Sequence, residues 1–259
     1  MTDVVLWHIP VSHYNEKVRW ALAYKGVEHE RKAPPPPFHM AAALALTRGR
    51  EKTFPVLQLD DRAVGDSTAI IAALEERFPD PALYPADPAE LERALQLEDF
   101  FDEELAPHIR LLAWHELMKD HARAEAVAVK SMPGALQRFP GVARRAGVLF
   151  LTVRYHVTDD DRAVLARDKL LGALDRLEAE LGDGEYLVGD SFSVADLTAA
   201  SLFYPLVNPP EGPQVITDPP PAWRELKEEH SERRGYRWVE EMFRRHRKPA
   251  ATAVTAAAS

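Results

Sequence analysis

The 259-residue chain contains no cysteine. That absence excludes disulfides, thiolate metal sites and any redox cycle in which the protein supplies the sulfur, so thiol chemistry here would need a thiol carried in by a ligand. Long apolar runs are also missing. The longest, residues 146–153 and 198–207, fall well short of the roughly 20 residues that cross a bilayer, which predicts no membrane span. No basic stretch, apolar core and small-residue cleavage site stand at the start, so a cytoplasmic address is expected. Basic charge is in the minority, 32 Lys and Arg against 41 Asp and Glu for a net of −9, and it is interspersed with acidic residues. Without a cationic stripe the chain has no electrostatic footprint for a phosphate backbone, and nucleic acid is not an expected partner. Neither a Gly-rich phosphate loop nor a His-Glu-x-x-His pair occurs, and no metal is expected.

What is present reads as a folded globular chain: 46% of residues are hydrophobic and 28% charged, far from the polar composition of disordered segments. The apolar β-former run 4–9 stops at Pro10 and predicts a buried strand. From Ser12, Val18, Leu22 and Ala23 recur at helical spacing until Lys25-Gly26 closes the segment. Residues 27–32 suggest a second strand. The prolines at 34–37 force an extended loop before an Ala-rich helix at 40–46. Residues 54–59 and 63–65, separated by Asp60-Asp61, suit a hairpin, and 67–78 a third helix capped by Ser67. The order is βαβαββα in residues 1–78.

Four prolines at 79–88 and no periodicity mark residues 79–90 as a linker. After it the pattern is all helical over residues 91–247, with apolar stripes at 91–118, 163–181 and 223–247. The stretch 131–157, broken by Pro133 and Pro140, is less legible, and its apolar run 148–151 is expected to pack in the helical core. Residues 248–259 form an Ala/Thr tail expected to be disordered.

Four motifs carry a resemblance. Ser12-His13-Tyr14-Asn15-Glu16-Lys17-Val18-Arg19-Trp20 resembles the first helix of glutathione transferases, especially serine-type bacterial ones. Phe54-Pro55-Val56-Leu57 resembles the family's cis-proline turn, Asp66-Ser67-Thr68-Ala69-Ile70 its acidic-Ser segment, and Tyr186 to Asp196 its C-domain signature. The resemblance implies a thioredoxin-like α/β N-terminal domain followed by an all-α helical bundle, glutathione as co-substrate, a small hydrophobic electrophile as second substrate, a role in detoxification and a homodimer.

By position alone Ser12 is a helix N-cap. The resemblance makes it the catalytic residue, a hydroxyl that donates to the glutathione sulfur and favours the thiolate. A thiol of pKa about 8.5 is only about 3% ionised at pH 7, and a fall of two units needs about 2.7 kcal/mol. A hydrogen bond to a charged acceptor contributes roughly 1.5–3 kcal/mol and a helix N-terminus roughly 0.3–1, which is sufficient. Tyr14 and Asn15 are rival donors. Asn15 stands where redox relatives carry the second cysteine, which removes disulfide exchange by the protein.

The resemblance further implies that Phe54, before a cis Pro55, turns its backbone toward the cysteinyl part of glutathione. Asp66 and Ser67 would receive the γ-glutamyl end, and Lys52 the glycyl carboxylate. Each also has an ordinary reading, as an edge-strand proline, a helix cap and a solvated lysine. His13, Tyr14, His108, Leu112 and His115 are candidates for the electrophile pocket. Ser193 to Asp196 reads as a capping box, with Phe192 and Leu197 as its hydrophobic staple, and so as a stability device. A non-catalytic binding or scaffold protein of the same fold, or an enzyme using another small thiol, are the alternatives.

Overall fold

The computed structural model describes residues 4–35, 38–131, 140–213 and 216–248. The first part is a four-stranded mixed sheet of β1 (Val4–Trp7), β2 (Glu30–Lys32), β3 (Val56–Leu59) and β4 (Arg62–Gly65), in the order β2-β1-β3-β4. With it come α1 (His13–Tyr24), α2 (Phe38–Leu46) and α3 (Ser67–Arg77). β1 runs parallel to β2, with Val5 opposite Glu30, and antiparallel to β3, with Val4 opposite Leu59. Side chains alternate across a strand, so Leu57 and Leu59 enter the main core with α1 and α3 while Val56 turns to the opposite face. There it meets Phe54 and Ala43 of α2 in a second, smaller core.

The remainder is helical: α4 (Pro88–Phe100), a π-helical turn (Phe101–Leu105), α5 (Ala106–Lys119), α6 (His121–Ser131), α7 (Pro140–Tyr155), α8 (Asp160–Leu181), α9 (Val194–Val207), α10 (Pro221–His230) and α11 (Arg234–His246). This is the α/β-then-helices architecture expected from the motifs. α9 is buried nearly all round, which is why its apolar residues lack a polar face, and α1 packs against it. Trp20 of α1 stacks on Phe192 and meets Phe243 of α11, joining the two parts through aromatic surface.

Several local readings change. Residues 27–29 do not join β2, because Gly26 (φ 65°) ends α1 in a Schellman closure in which Val27 N donates to Leu22 O and Gly26 N to Ala23 O. Asp66, not Ser67, caps α3: its Oδ1 accepts from the Thr68 and Ala69 amides at 2.9 and 3.1 Å. The run 148–151 is not a core segment where its side chains are described, since Leu149 is exposed and Phe150 only half-buried, edge-on to His39. Pro133 and residues 249–259 lie outside the described residues.

The stripe at 91–118 is divided by the π-helical turn. Ala106 N reaches back to Phe101 O, so the next bond in that pattern, from residue 107 to Asp102 O, would need an N–H that Pro107 lacks. The Asp102 carbonyl is thereby left for a side chain. The connection between the two parts is pinned: the fully buried Lys25 ammonium donates to Phe78 O and Pro81 O and pairs with Glu75 at 2.6 Å. Leu83, also buried, accepts through its carbonyl from Val194 N at the start of α9.

Candidate active site

Ser12 sits in the loop between β1 and α1, half-buried and extended (φ −82°, ψ 128°), as the N-cap of α1. Its Oγ accepts from Asn15 N at a long 3.4 Å. Among the described residues the hydroxyl proton has no protein acceptor, so Ser12 can cap the helix and still donate outward. Both readings of this serine are therefore compatible in one geometry.

The loop around it is fixed from three sides. The fully buried Asn15 accepts from Ile9 N through Oδ1 at 3.1 Å and donates from Nδ2 to Phe54 O at 3.2 Å. It thus ties the Ser12 loop to the Phe54-Pro55 loop, whose peptide bond is cis. Arg19 donates to the carbonyls of Ile9, Pro10 and Ser12 at 3.2–3.3 Å, and Tyr204 of α9 donates to Val11 O at 3.2 Å. With their carbonyls satisfied by protein, these loop residues have little reason to move.

Of the expected ligand-binding residues, Phe54 is buried between Trp7 and His39, and its carbonyl is committed to Asn15. Among the described residues its amide has no protein acceptor. Pro55 is buried beside it. Ser67 is buried at the first position of α3, where a helix leaves amides unpaired, and Asp66 keeps its Oδ2 clear of the capping bonds. Lys52 is exposed in the loop before Phe54.

The expected pocket residues divide. His13 and Tyr14, their rings stacked at 4.8 Å, face the helical part. His13 is buried and donates from Nε2 to Ala106 O at 3.0 Å; burial, then the nearby Arg110 charge, lower its pKa to about 3, so the ring is neutral at physiological pH. Tyr14 donates to the freed Asp102 carbonyl at 2.9 Å, and burial pushes its phenol well above the ordinary tyrosine range. The Arg110 guanidinium lies 4.5 Å from the Tyr155 ring and 5.6 Å from the Tyr14 ring, and among the described residues its buried Nε has no hydrogen-bond partner. Leu112 is core. The structure does not bring His108 and His115 to this group. His108 is half-buried near Lys169 and Glu104, its pKa lowered by burial and by Lys169. His115 is buried, with Nδ1 2.9 Å from Val157 O and Nε2 3.5 Å from Asp160, joining α5 to the start of α8.

Sequence reasoning missed the charged residues of α1. Lys17, fully buried, lies 2.6 Å from Asp102 Oδ2, 2.8 Å from Glu98 Oε1 and 3.1 Å from Thr68 Oγ1. The Glu98 contact is ionic in distance but lacks hydrogen-bond geometry, and among the described residues the second Glu98 oxygen and Asp102 Oδ1 are buried without hydrogen-bond partners. Burial alone would lower the Lys17 pKa, but Asp102 and Glu98 outweigh it and the net shift is upward. Glu98 is raised, because burial outweighs the pull of Lys17. The signal was available: Glu16, Lys17 and Arg19 crowd a helix whose neighbours Val18, Trp20, Ala21 and Leu22 leave it no solvent-facing side. At the far end of the interface Asp196 accepts from Leu187 N, Ser193 N and Ser193 Oγ, each at 2.8 Å, completing the capping box.

Residues 6–82 match the family description "Glutathione S-transferase, N-terminal domain" and residues 121–226 "Glutathione S-transferase, C-terminal domain". A curated relative, maleylacetoacetate isomerase of Dictyostelium discoideum, is 26% identical over 197 residues, 73% of this chain and 72% of its own. A glutathione S-transferase of Methylobacterium radiotolerans JCM 2831, solved in complex with glutathione sulfonate, superposes with a TM-score of 0.58 at 22% identity, covering 100% of both chains. A bacterial zeta-class maleyl pyruvate isomerase superposes at 0.56 and 21% identity, covering 92% of this chain and 97% of its own. At those identities the superpositions speak for the fold, while the two domain matches, together spanning most of the chain, place it in a family: the protein belongs to the glutathione S-transferases and is a glutathione transferase-like enzyme.

Proposed function

We propose that this protein binds glutathione between the Ser12 loop, the Phe54-Pro55 loop and the start of α3, and holds its sulfur as a thiolate for attack on an electrophilic carbon. The observation that carries the reading is the Ser12 hydroxyl, at the mouth of α1 with its proton uncommitted among the described residues. The Phe54 amide would pair with the cysteinyl carbonyl, the Ser67 amide and hydroxyl with the γ-glutamyl carboxylate, Asp66 Oδ2 with the ammonium, and Lys52 with the glycyl carboxylate. The thiol proton goes to water, and the new S–C bond forms as a leaving group departs or as a conjugated double bond accepts the electron pair.

Arg110 favours one class of electrophile, an α,β-unsaturated carboxylate. Its buried Nε beside Tyr14, without a partner among the described residues, can pair with an anionic group, and two of the similar proteins are named as isomerases of maleyl compounds. Addition of the thiolate to such a double bond, rotation about the resulting single bond and expulsion of the thiolate would isomerise it with no net change in atoms. We place the protein in the cytoplasm as a homodimer, as family membership suggests, with detoxification as the broader role.

The test is turnover of a maleyl acid and of a general aromatic halide with glutathione, comparing wild type with Ser12→Ala. Returning the thiol from a pKa of about 6.5 to about 8.5 cuts its ionised fraction at pH 7 from about 76% to about 3%, so a fall in rate of up to about 25-fold is expected. Equal rates would remove the serine from the chemistry. Absence of glutathione binding by calorimetry would favour a scaffold role or another small thiol.

A further inference from the structure

The carbonyls of the Ser12 loop are held by Arg19, and Arg19 is itself held. Its Nε donates to Glu16 Oε2 at 2.7 Å, and Glu16, fully buried, accepts at Oε1 from Arg247 Nε at 2.6 Å. Arg247 follows the last turn of α11 and is nearly buried. Its guanidinium is steadied by an Nη1 bond to Lys248 O, and the preceding residue is anchored by Trp20 Nε1 donating to His246 O at 3.1 Å. A continuous chain of charge-assisted bonds therefore runs from the end of the helical part to the carbonyls of Ile9, Pro10 and Ser12. From this geometry we infer that Arg247 is a positioning residue for the Ser12 loop, acting through Glu16 and Arg19; its bearing on a bound thiol rests on the function proposed above.

The charges that surround this chain come from each neighbouring element. His8, at the end of β1, is 3.0 Å from Arg19 Nη1 and has a pKa lowered to about 3 by burial and by Arg19 and Arg31, so it adds no charge at neutral pH. His29 is likewise lowered, by burial first. Arg31 of β2 is lowered to about 10 by burial and by Arg19 and Arg247, and stays charged at neutral pH. Tyr204 of α9 is raised to about 12 by burial and stays neutral. Among the described residues that interact here, one acid, Glu16, faces Arg19, Arg31 and Arg247, and the surplus is cationic behind a loop whose other side would receive an anion. Removing the Arg247 charge loosens the Arg19 grip, since Glu16 loses one of its two partners, and lowers the positive potential at the same place.

The experiment compares full-length wild type, Arg247→Gln and Arg247→Lys. Amide hydrogen exchange without ligand is read at residues 8–16, where the Gln variant should exchange about tenfold faster than wild type and the Lys variant should return close to it. The thiol of bound glutathione is then titrated by the ultraviolet absorbance of its thiolate, and the Gln variant should hold about threefold less thiolate at pH 7. Unchanged exchange at residues 8–16, or an increase spread evenly over the chain, overturns the inference. So does a thiol titration that stays put while the loop loosens. If wild type binds no glutathione, the proposed function fails, and the exchange comparison alone still decides whether Arg247 positions the loop.

Discussion

Replacing Lys17 with methionine keeps most of the buried stem and deletes the ammonium that Asp102, Glu98 and Thr68 surround at 2.6, 2.8 and 3.1 Å. What remains is two carboxylates side by side, one fully and one largely buried, with no cation between them. Breaking a buried ion pair by removing one partner costs about 3–5 kcal/mol. For a chain of this size each kcal/mol lowers the melting temperature by roughly 2–4 °C, so a fall on the order of 10 °C is expected at pH 7. The pH dependence carries a sign. Without Lys17 the folded-state pKa of Glu98, already raised by burial, rises further above its unfolded value, so the variant's stability is fully present below about pH 4 and is lost as pH rises through that raised value. Thermal unfolding from pH 4 to 8 therefore shows the gap to wild type widening with pH. Adding Glu98→Leu to Lys17→Met should recover part of the loss, because it removes one of the two carboxylates left without a cation. A Lys17→Met variant that melts within a degree of wild type across that range would refute the account of this cluster.

Two other perturbations probe neighbouring parts of the structure. Asp196, its pKa raised to about 6 chiefly by burial, takes up a proton in the folded state between about pH 4 and 6; that contribution is fully present below about pH 4 and fades as pH passes 6. Asp196→Asn sets an amide N–H against the Ser193 or Leu187 donors, costing about 1–3 kcal/mol, with the deficit largest near pH 4 and smaller at pH 7 in denaturant titrations. Lost turnover with unchanged unfolding would contradict a structural role for it. Asn15→Ala leaves Ile9 N and Phe54 O unpaired at a cost of about 1–3 kcal/mol, and should weaken glutathione binding about tenfold by calorimetry, whereas unchanged affinity would show that the two loops hold their spacing without it.

Much of the layout was legible from periodicity and punctuation: a run that stops at Pro10, a helix that ends on Lys25-Gly26, a Ser193–Asp196 box ahead of an apolar helix. These are local effects, written in the dihedral limits of proline and glycine and in which side-chain oxygens can reach a free amide, and they needed no knowledge of the rest of the chain. Where local signals compete, the reading slipped, as at Asp66 and Ser67, adjacent residues that can each cap a helix. It also slipped at residues 27–29, where the Gly26 closure takes the amide of Val27.

The residue types near the site, a serine before a helix and a proline after Phe54, were fixed by the sequence alone. The environment that gives them chemistry was not, because it depends on groups up to 231 positions apart, as Glu16 and Arg247 are. Tertiary packing removes water from Lys17, Glu16 and Arg19 and so converts charges that would be unremarkable on a surface into the ties between the two parts. It likewise decided that Tyr14 meets the carbonyl that Pro107 leaves free, while His108 and His115 serve other contacts. Hydrophobic periodicity tells which way a helix faces; which ions end up together in the dark is settled only when the helices meet.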